Sequence, residues 1–195
     1  MYLYLVRHGE SVGNAQKLFF GHADYPLTAL GRTQAKQAAT KLEHIPFSRC
    51  CASDLSRAWT TAQLCLTQRE IWPEKCPALR EQFMGQLEQK TWDEAVALCG
   101  AALDDYLNNW YYSCVPSMEP ARKMEQRIGA CLDQIITQGE DTLIVAHNGT
   151  LTLILKLMGL ISETQLNDMH FQFRFGCYSA VHIDANGATL KGFNL

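Results

Sequence analysis

With 195 residues, 47% of them apolar, the chain is long enough to bury a core of its own and needs no disulfide or metal to staple it. Seventeen Lys and Arg against twenty Asp and Glu leave a formal charge of -3, which excludes the basic surface that nucleic acid or an anionic membrane selects. No apolar run approaches the ~20 residues of a membrane-spanning helix, so the expected partner is a small molecule, and cations for an anionic one must be gathered locally.

In chain order, Tyr2–Val6 alternates aromatic and branched residues and breaks at Gly9, which predicts a buried strand ending near Arg7. Residues 12–27 read as a helical turn and a loop carrying Gly21, His22 and Pro26. From Thr28 the spacing of Ala35, Ala38, Ala39, Leu42 and Ile45 is helical, and Pro46 closes the segment. A second strand is predicted over Phe47–Ala52. Ser53 is then placed to cap a helix whose inner face carries Leu55, Ala58, Trp59, Ala62 and Cys65. Ile71–Cys76, with Pro73 and Pro77 beside it, is a weaker third strand.

Residues 91–112 predict one or two helices rich in Trp and Tyr, with Gly100 as a break. Pro116 and Pro120 bracket the start of a long helix, in which Met124, Ile128, Leu132, Ile135 and Ile136 keep helical spacing down to Gly139. Thr142–Ala146 is a continuous apolar run between Asp141 and His147, as in strands buried on both faces of a parallel sheet. Thr150–Met158 predicts another helix and residues 162–168 a short one. Cys177–Ile183 and Ala188–Phe193 predict a hairpin with a two-residue turn around Asn186-Gly187. Strands alternating with helices and closed by a hairpin predict one three-layer α/β/α sandwich over residues 1–195, its mostly parallel sheet carrying an antiparallel edge.

Eight cysteines raise the question of disulfides. They are scattered, Cys50 and Cys51 are adjacent, and no Cys-x-x-Cys pair occurs. Cys65 and Cys131 fall at apolar helical positions, where a thiol acts as a small hydrophobe. The chain opens Met1-Tyr2-Leu3-Tyr4-Leu5-Val6 and reaches Arg7 at once, without the pattern of a signal peptide. Reduced thiols in the cytoplasm are the expectation.

Charged groups collect after three separate strands: Arg7 and His8 after the first, Arg57 in the first helical turn after the second, His147 and Asn148 after Thr142–Ala146. Ligands of open α/β sheets bind beyond the carboxyl ends of strands. Two arginines and two histidines there suit a phosphate dianion, whose oxygens match guanidinium forks. Taken singly, each of these residues is equally readable as packing or surface. His22 and His170 show no metal-ligand spacing, and no metal or other cofactor is expected. No Gly-x-Gly-x-x-Gly follows the first strand, which excludes a dinucleotide-binding domain.

Arg7-His8-Gly9-Glu10-Ser11 with Asn14, followed by Gly21-His22-x-x-x-Pro26-Leu27-Thr28-x-x-Gly31, resembles the opening of the histidine phosphatase superfamily, the phosphoglycerate mutase-like enzymes. Ser53-Asp54-Leu55-Ser56-Arg57-Ala58, Leu79-Arg80-Glu81 and Val145-Ala146-His147 resemble that family's later motifs, in the same order. The resemblance implies a phosphoglycerate mutase-like fold and a phosphohistidine at His8. Arg7, Arg57 and a protonated His147 would hold the equatorial oxygens, and Asn14 would donate a further hydrogen bond. It implies Glu81 as the general acid and base, with Glu10 as the alternative, and Gly21, His22 and Asn148 beside the substrate. The segment at about 81–118 is expected to form a helical insertion over the pocket.

The sequence departs from the family pattern at three places. Asn148 stands where glycine is common, Met84 precedes Gly85 where an aromatic is usual, and Leu87-Glu88-Gln89 replaces a common Trp-Glu-Gly. The mutases that share this opening carry extra segments, so a phosphatase is expected, as a monomer or homodimer acting on a small phosphate ester. Within the superfamily, Phe171-x-Phe173-Arg174-Phe175 and the Trp110-Tyr111-Tyr112 region resemble the α-ribazole 5′-phosphate phosphatases. A mutase, a broad sugar-phosphate phosphatase and a silent phospho-ligand module are the alternatives.

Overall fold

A computed structural model describes residues 1–167 and 171–195. Six strands form one sheet: β1 (Tyr2–Arg7), β2 (Arg49–Ala52), β3 (Glu74–Lys75), β4 (Thr142–Ala146), β5 (Tyr178–Asp184) and β6 (Gly187–Gly192), in the order β3-β2-β4-β1-β5-β6. β3, β2, β4 and β1 are parallel neighbours, while β5 runs antiparallel to β1 and β6 to β5. The sheet is therefore the mostly parallel one with an antiparallel edge.

Side-chain alternation makes the three layers. Leu3 and Leu5 of β1, with Ile144 and Ala146 of β4, face α6 (Ala121–Gln138) and α7 (Asn148–Leu157). Tyr4, Val6, Leu143 and Val145 face the opposite way, against α2 (Ala29–Leu42) and α3 (Ser56–Cys65). Every residue of β4 is buried, so its apolar run needs no polar face. All eight cysteines are free, with Cys65 buried and Cys131 packed against the α6 side of the core. No helix among the described residues is long and apolar enough to cross a membrane.

Several boundaries differ from those the sequence predicts. β2 begins at Arg49, because the chain turns after Pro46 and the Phe47 N–H is taken by Ile45 O. β3 keeps only two residues, since Pro73 and Pro77 cannot donate to a ladder. α7 starts at Asn148, two residues early, and the hairpin turns on Ala185-Asn186 with Asp184 paired to Gly187. Ser53 does not cap α3; Leu55 holds that position with no side-chain cap. Residues 12–27 form the expected helical turn, α1 (Val12–Ala15), and a loop. The short helix expected at 162–168 is observed as Glu163–Asn167; Asp168 and His170 lie outside the described residues.

The segment before α6 contains α4 (Trp92–Cys99) and α5 (Ala101–Asn108), separated at Gly100 with φ 49°. They share a small apolar cluster of Leu87, Ala95, Leu103, Tyr106, Val115 and Met118, distinct from the two sheet cores.

Two glycines let α2 close on the loop that leaves β1. A Cβ on Gly9 would stand 2.2 Å from Gly31 O, and one on Gly31 only 1.9 Å from Glu10 O. Thr28 caps α2 by accepting from the Gly31 N–H and donating its hydroxyl to Glu10 Oε1 at 2.7 Å. Backbone cannot step aside as a flexible side chain can, so Gly31→Ala is expected to destabilise the protein by about 1–3 kcal/mol, measured as a fall in the urea midpoint.

Candidate active site

The strand order decides what stands beside what. β4 lies between β1 and β2, with Arg7 opposite Ala146 and Ala52 opposite Val145. The pairing continues one residue past each strand: His8 N–H donates to Ala146 O and Ser53 N–H to Val145 O, both at 3.0 Å. Three strand exits thus open side by side. The His8 and His147 rings lie 5.0 Å apart between centroids at 61°. His8, Arg57 and His147 are only 4%, 1% and 1% exposed.

Hydrogen bonds assign the imidazole tautomers. His8 Nδ1 lies 2.7 Å from Gly9 O, and a carbonyl only accepts. Nδ1 therefore carries the proton, and Nε2 keeps its lone pair. Burial first, then the adjacent Arg57 and Arg7, push the His8 value well below 6.5, so the ring is neutral. His147 is held down in the same way, by burial and then by Arg57, His8 and Arg7. The protonated His147 expected from the sequence is therefore not the resting form. Its Nε2 lies 2.9 Å from Ser53 Oγ, which also accepts the Leu55 N–H at 3.4 Å. A Ser53 hydroxyl that donates to Nε2 places the His147 proton on Nδ1.

The arginines are clamped from behind. Arg57 donates to Gly21 O at 2.6 Å and Ala23 O at 3.1 Å, with its guanidinium 4.8 Å from the Phe20 ring. Burial lowers its value to about 10, against the opposing pull of Glu81, Asp24 and Glu88, so it stays cationic. Arg7 donates to Phe173 O at 3.0 Å and stacks 4.3 Å from Phe175. Burial lowers Arg7 as well, with Glu81 opposing. Arg7 Nε, Arg57 Nε and His147 Nδ1 are buried and have no hydrogen-bond partner among the described residues. An unmet buried donor costs about 1–3 kcal/mol, and three around one imidazole fit an anion with several oxygens. Among the described residues, no group of three or more His, Cys, Asp and Glu is placed to hold a metal ion.

Glu81 reaches the same place from a different element. Its Oε2 accepts the Gly149 N–H at the start of α7, and its Oε1 accepts the Gln82 N–H, both at 3.0 Å. A Cβ on Gly149 would stand 2.6 Å from Glu81 Oε1. The backbone before the carboxylate is held by Arg127 of α6, which donates to Ala78 O, Arg80 O and Glu81 O at 2.6, 2.7 and 2.9 Å. Arg127 is itself paired with Glu119 at 2.7 Å. The Arg80 fork closes on both oxygens of Asp54 at 2.7 and 2.6 Å. Glu10, the alternative acid, is bound by Thr28 at the head of α2.

The remaining candidates split. Asn14 uses Oδ1 to accept from the Ser11 N–H and hydroxyl. Asn148 Oδ1 accepts the Phe173 N–H at 2.9 Å, and the residue is helical, so the left-handed turn a glycine would serve is not formed. Gly21 meets Arg57 through its carbonyl, and His22 Nε2 donates to Glu81 O at 3.1 Å. Ser53, Thr61, Arg127 and Glu88 were not singled out by sequence. Thr61 Oγ1 accepts the Gly9 N–H at 3.1 Å and donates to Arg57 O at 2.7 Å. Ser53 carried a signal that pointed to a helix cap, and Glu88 stood in the Leu87-Glu88-Gln89 segment that departs from the family's Trp-Glu-Gly.

Beside Glu81 opens a cavity of about 230 Å³. Its walls include Phe19, Met84, Tyr106, Trp110, Leu166 and Phe171, with Asn148 and Gly149 where it meets the α7 N-terminus. Gln82 is buried there with its carboxamide engaged: Oε1 accepts from Tyr106 and Trp110, and Nε2 donates to Glu119 O. Among the described residues lining the cavity there is no Lys, Arg or His.

The ends of three neighbouring strands thus carry a buried imidazole with a fixed tautomer, a second buried imidazole and two arginines whose charge bears on both rings. The family model of the histidine phosphatase superfamily (branch 1) matches residues 3–195, and the chain belongs to that superfamily. It is a phosphatase-class enzyme, similar along its length to α-ribazole phosphatases. It is 32% identical to the adenosylcobalamin/alpha-ribazole phosphatase of Escherichia coli (strain K12), covering 100% of this chain and 96% of that one. The crystal structure of the alpha-ribazole phosphatase from Shigella flexneri superposes with a TM-score of 0.90 at 32% identity, covering 100% and 96% of the two chains. The probable phosphoglycerate mutase GpmB of Escherichia fergusonii is also 32% identical, over 81% of this chain and 75% of its own.

The neutral histidines have a thermodynamic consequence. Their folded values are depressed, so the unfolded chain takes up protons near pH 6.5 that the folded chain does not. This stability is present above that pH and is lost as the pH falls. In phosphate-free buffer, unfolding free energy should drop from about pH 7.5 to about 5.5, by up to ~1.4 kcal/mol per histidine per pH unit below the unfolded value. An H8N/H147N variant, titrated with urea across the same range, should give a flatter profile.

Proposed function

We propose that the chain hydrolyses a small phosphate monoester through a phosphohistidine on His8, and that its substrate is α-ribazole 5′-phosphate in cobalamin nucleotide-loop assembly. The observation that carries the chemistry is the 2.7 Å contact between His8 Nδ1 and Gly9 O, which leaves the Nε2 lone pair for phosphorus. Nε2 forms the new N–P bond as the ester P–O bond breaks. Arg7, Arg57 and His147 Nδ1–H take the equatorial oxygens and neutralise the charge that shifts during transfer. The Asn14 amide adds a donor, and Gly21 and His22 shape the loop beside the phosphoryl group.

Glu81 gives its proton to the leaving oxygen. It then takes one from the water that attacks the phosphohistidine, and inorganic phosphate and free His8 result. Its support is its place bordering the cavity, on a segment anchored by Arg127. Water as acceptor makes the enzyme a hydrolase; a retained phosphoenzyme would make it a mutase.

The cavity supports the choice of leaving group. Its aromatic and thioether walls suit a flat, uncharged base, and Asn148 is among its lining residues. A phosphoglycerate carboxylate would find no cation among its described lining residues. Residues 81–118 act as the helical cover of this cavity, supported by the contribution of Glu81, Gln82, Met84, Tyr106 and Trp110 to its wall. The eight free cysteines support a cytoplasmic location.

Purified protein given α-ribazole 5′-phosphate should release inorganic phosphate with a kcat/KM well above that for 3-phosphoglycerate; isomerisation of the latter without release would favour a mutase. His8→Ala should abolish both turnover and acid-labile phosphate labelling. Glu81→Gln should slow alkyl monoesters by roughly 10²–10⁴-fold and p-nitrophenyl phosphate, whose leaving group needs no proton, much less. Equal loss on both would remove Glu81 from the role of acid.

A further inference from the structure

We infer that Glu88 is a positioning residue of the anion site: it fixes the backbone of Gly21–Ala23, and the carbonyls of that loop fix Arg57. The inference rests on the reading of Arg57 as a ligand of the transferred phosphoryl group. The Glu88 carboxylate collects four backbone N–H groups. Oε1 accepts from Gly21 at 3.0 Å, His22 at 2.8 Å and Met84 at 3.0 Å, while Oε2 accepts from Ala23 at 2.9 Å and shares Gly21 at 3.2 Å. Three consecutive N–H groups converging on one anion form a nest.

The same loop presents its carbonyls to Arg57. The hydrogen bonds of the Arg57 amino groups go to Gly21 O and Ala23 O, and the residue is 1% exposed. A guanidinium held by two carbonyls of one loop, with the neighbouring Phe20 ring 4.8 Å from it, moves with that loop. Its Nε, the donor without a protein partner, is therefore aimed by a carboxylate that does not touch it. Gly21 is what allows so close an approach: a Cβ there would lie 1.6 Å from Gln82 O and 3.3 Å from Glu88 Oε1. The flanks are tied as well, with Phe19 N–H donating to Lys90 O at 2.8 Å and Gln89 N–H to Phe19 O at 2.7 Å. Gln89 accepts φ 67° to make that tie, a conformation that favours glycine.

A carboxylate that only stitched two loops together would weaken the fold and leave the anion site to Arg57 itself. The two roles separate in a double-mutant cycle. Wild type, E88Q, R57A and E88Q/R57A are compared for orthovanadate affinity, for kcat and KM on p-nitrophenyl phosphate, and for thermal midpoint. E88Q alone should weaken vanadate binding and lower kcat/KM by about tenfold or more, whereas in the R57A background it should change either by less than about twofold. Wild-type behaviour of E88Q, or an equal loss on both backgrounds, overturns the inference. If E88Q does not fold, E88D carries the same cycle, since it keeps the charge and withdraws it by one methylene. A wild-type protein that neither binds vanadate nor turns over would instead defeat the phosphatase reading, and this inference with it.

Discussion

Everything chemical in this molecule depends on a short contact between a histidine and the carbonyl of the next residue. Gly9 O accepts from His8 Nδ1, and the ring can then present only its Nε2 lone pair. The carbonyl is in place because Gly9 is gripped from two sides: Thr61 takes its N–H, and Gly31 backbone lies where a side chain would be. Burial and two arginines push the imidazole toward its neutral form. In the proposed phosphoryl transfer such a ring needs no partner to remove a proton before it attacks.

The cost of that arrangement is that neither Arg7 nor Arg57 has a carboxylate in ion-pair contact among the described residues. The fold manages it by supporting each cation from behind with backbone carbonyls and aromatic faces. Those supports consume some donors, while Arg7 Nε, Arg57 Nε and His147 Nδ1 have no partner among the described residues and are the atoms proposed to meet the phosphoryl oxygens. Buried ionic groups are retained at a price in stability when they serve recognition. The acid-sensitive stability implied by the two histidines is the same compromise seen from the unfolded side.

Around this centre the control is indirect. Arg127, far along the chain in α6, grips three carbonyls of the segment that carries Glu81. The Glu88 carboxylate grips three N–H groups of the loop that carries the Arg57 supports. In both cases a charged side chain orders backbone, and the backbone orders the group at the site. The same segment, 81–90, also supplies wall to the cavity, so the position of Glu81 and the shape of the cavity are set together.

The sequence by itself determined the strands β1 and β4, the helical faces of α2, α3 and α6, and the residue types at the strand exits. These follow from short-range rules: apolar spacing, proline and glycine punctuation, and the burial of an uninterrupted run. The motifs then brought His8, Arg7, Arg57, His147 and Glu81 forward as a set. Tertiary structure alone decided that β4 inserts between β1 and β2, which puts His147 against Ser53 across 94 residues of chain. Ser53 shows why that was not legible: a serine before a helix looks locally like a cap, whether its hydroxyl serves that helix or a distant imidazole. The protonation state of His147 was hidden for a related reason, since burial and neighbouring charge are properties of the assembled site. The roles of Glu88 and Arg127 likewise consist of contacts to backbone, so the retained glutamate of Leu87-Glu88-Gln89 could be seen in the sequence but not what it holds, and Arg127 had no such pattern.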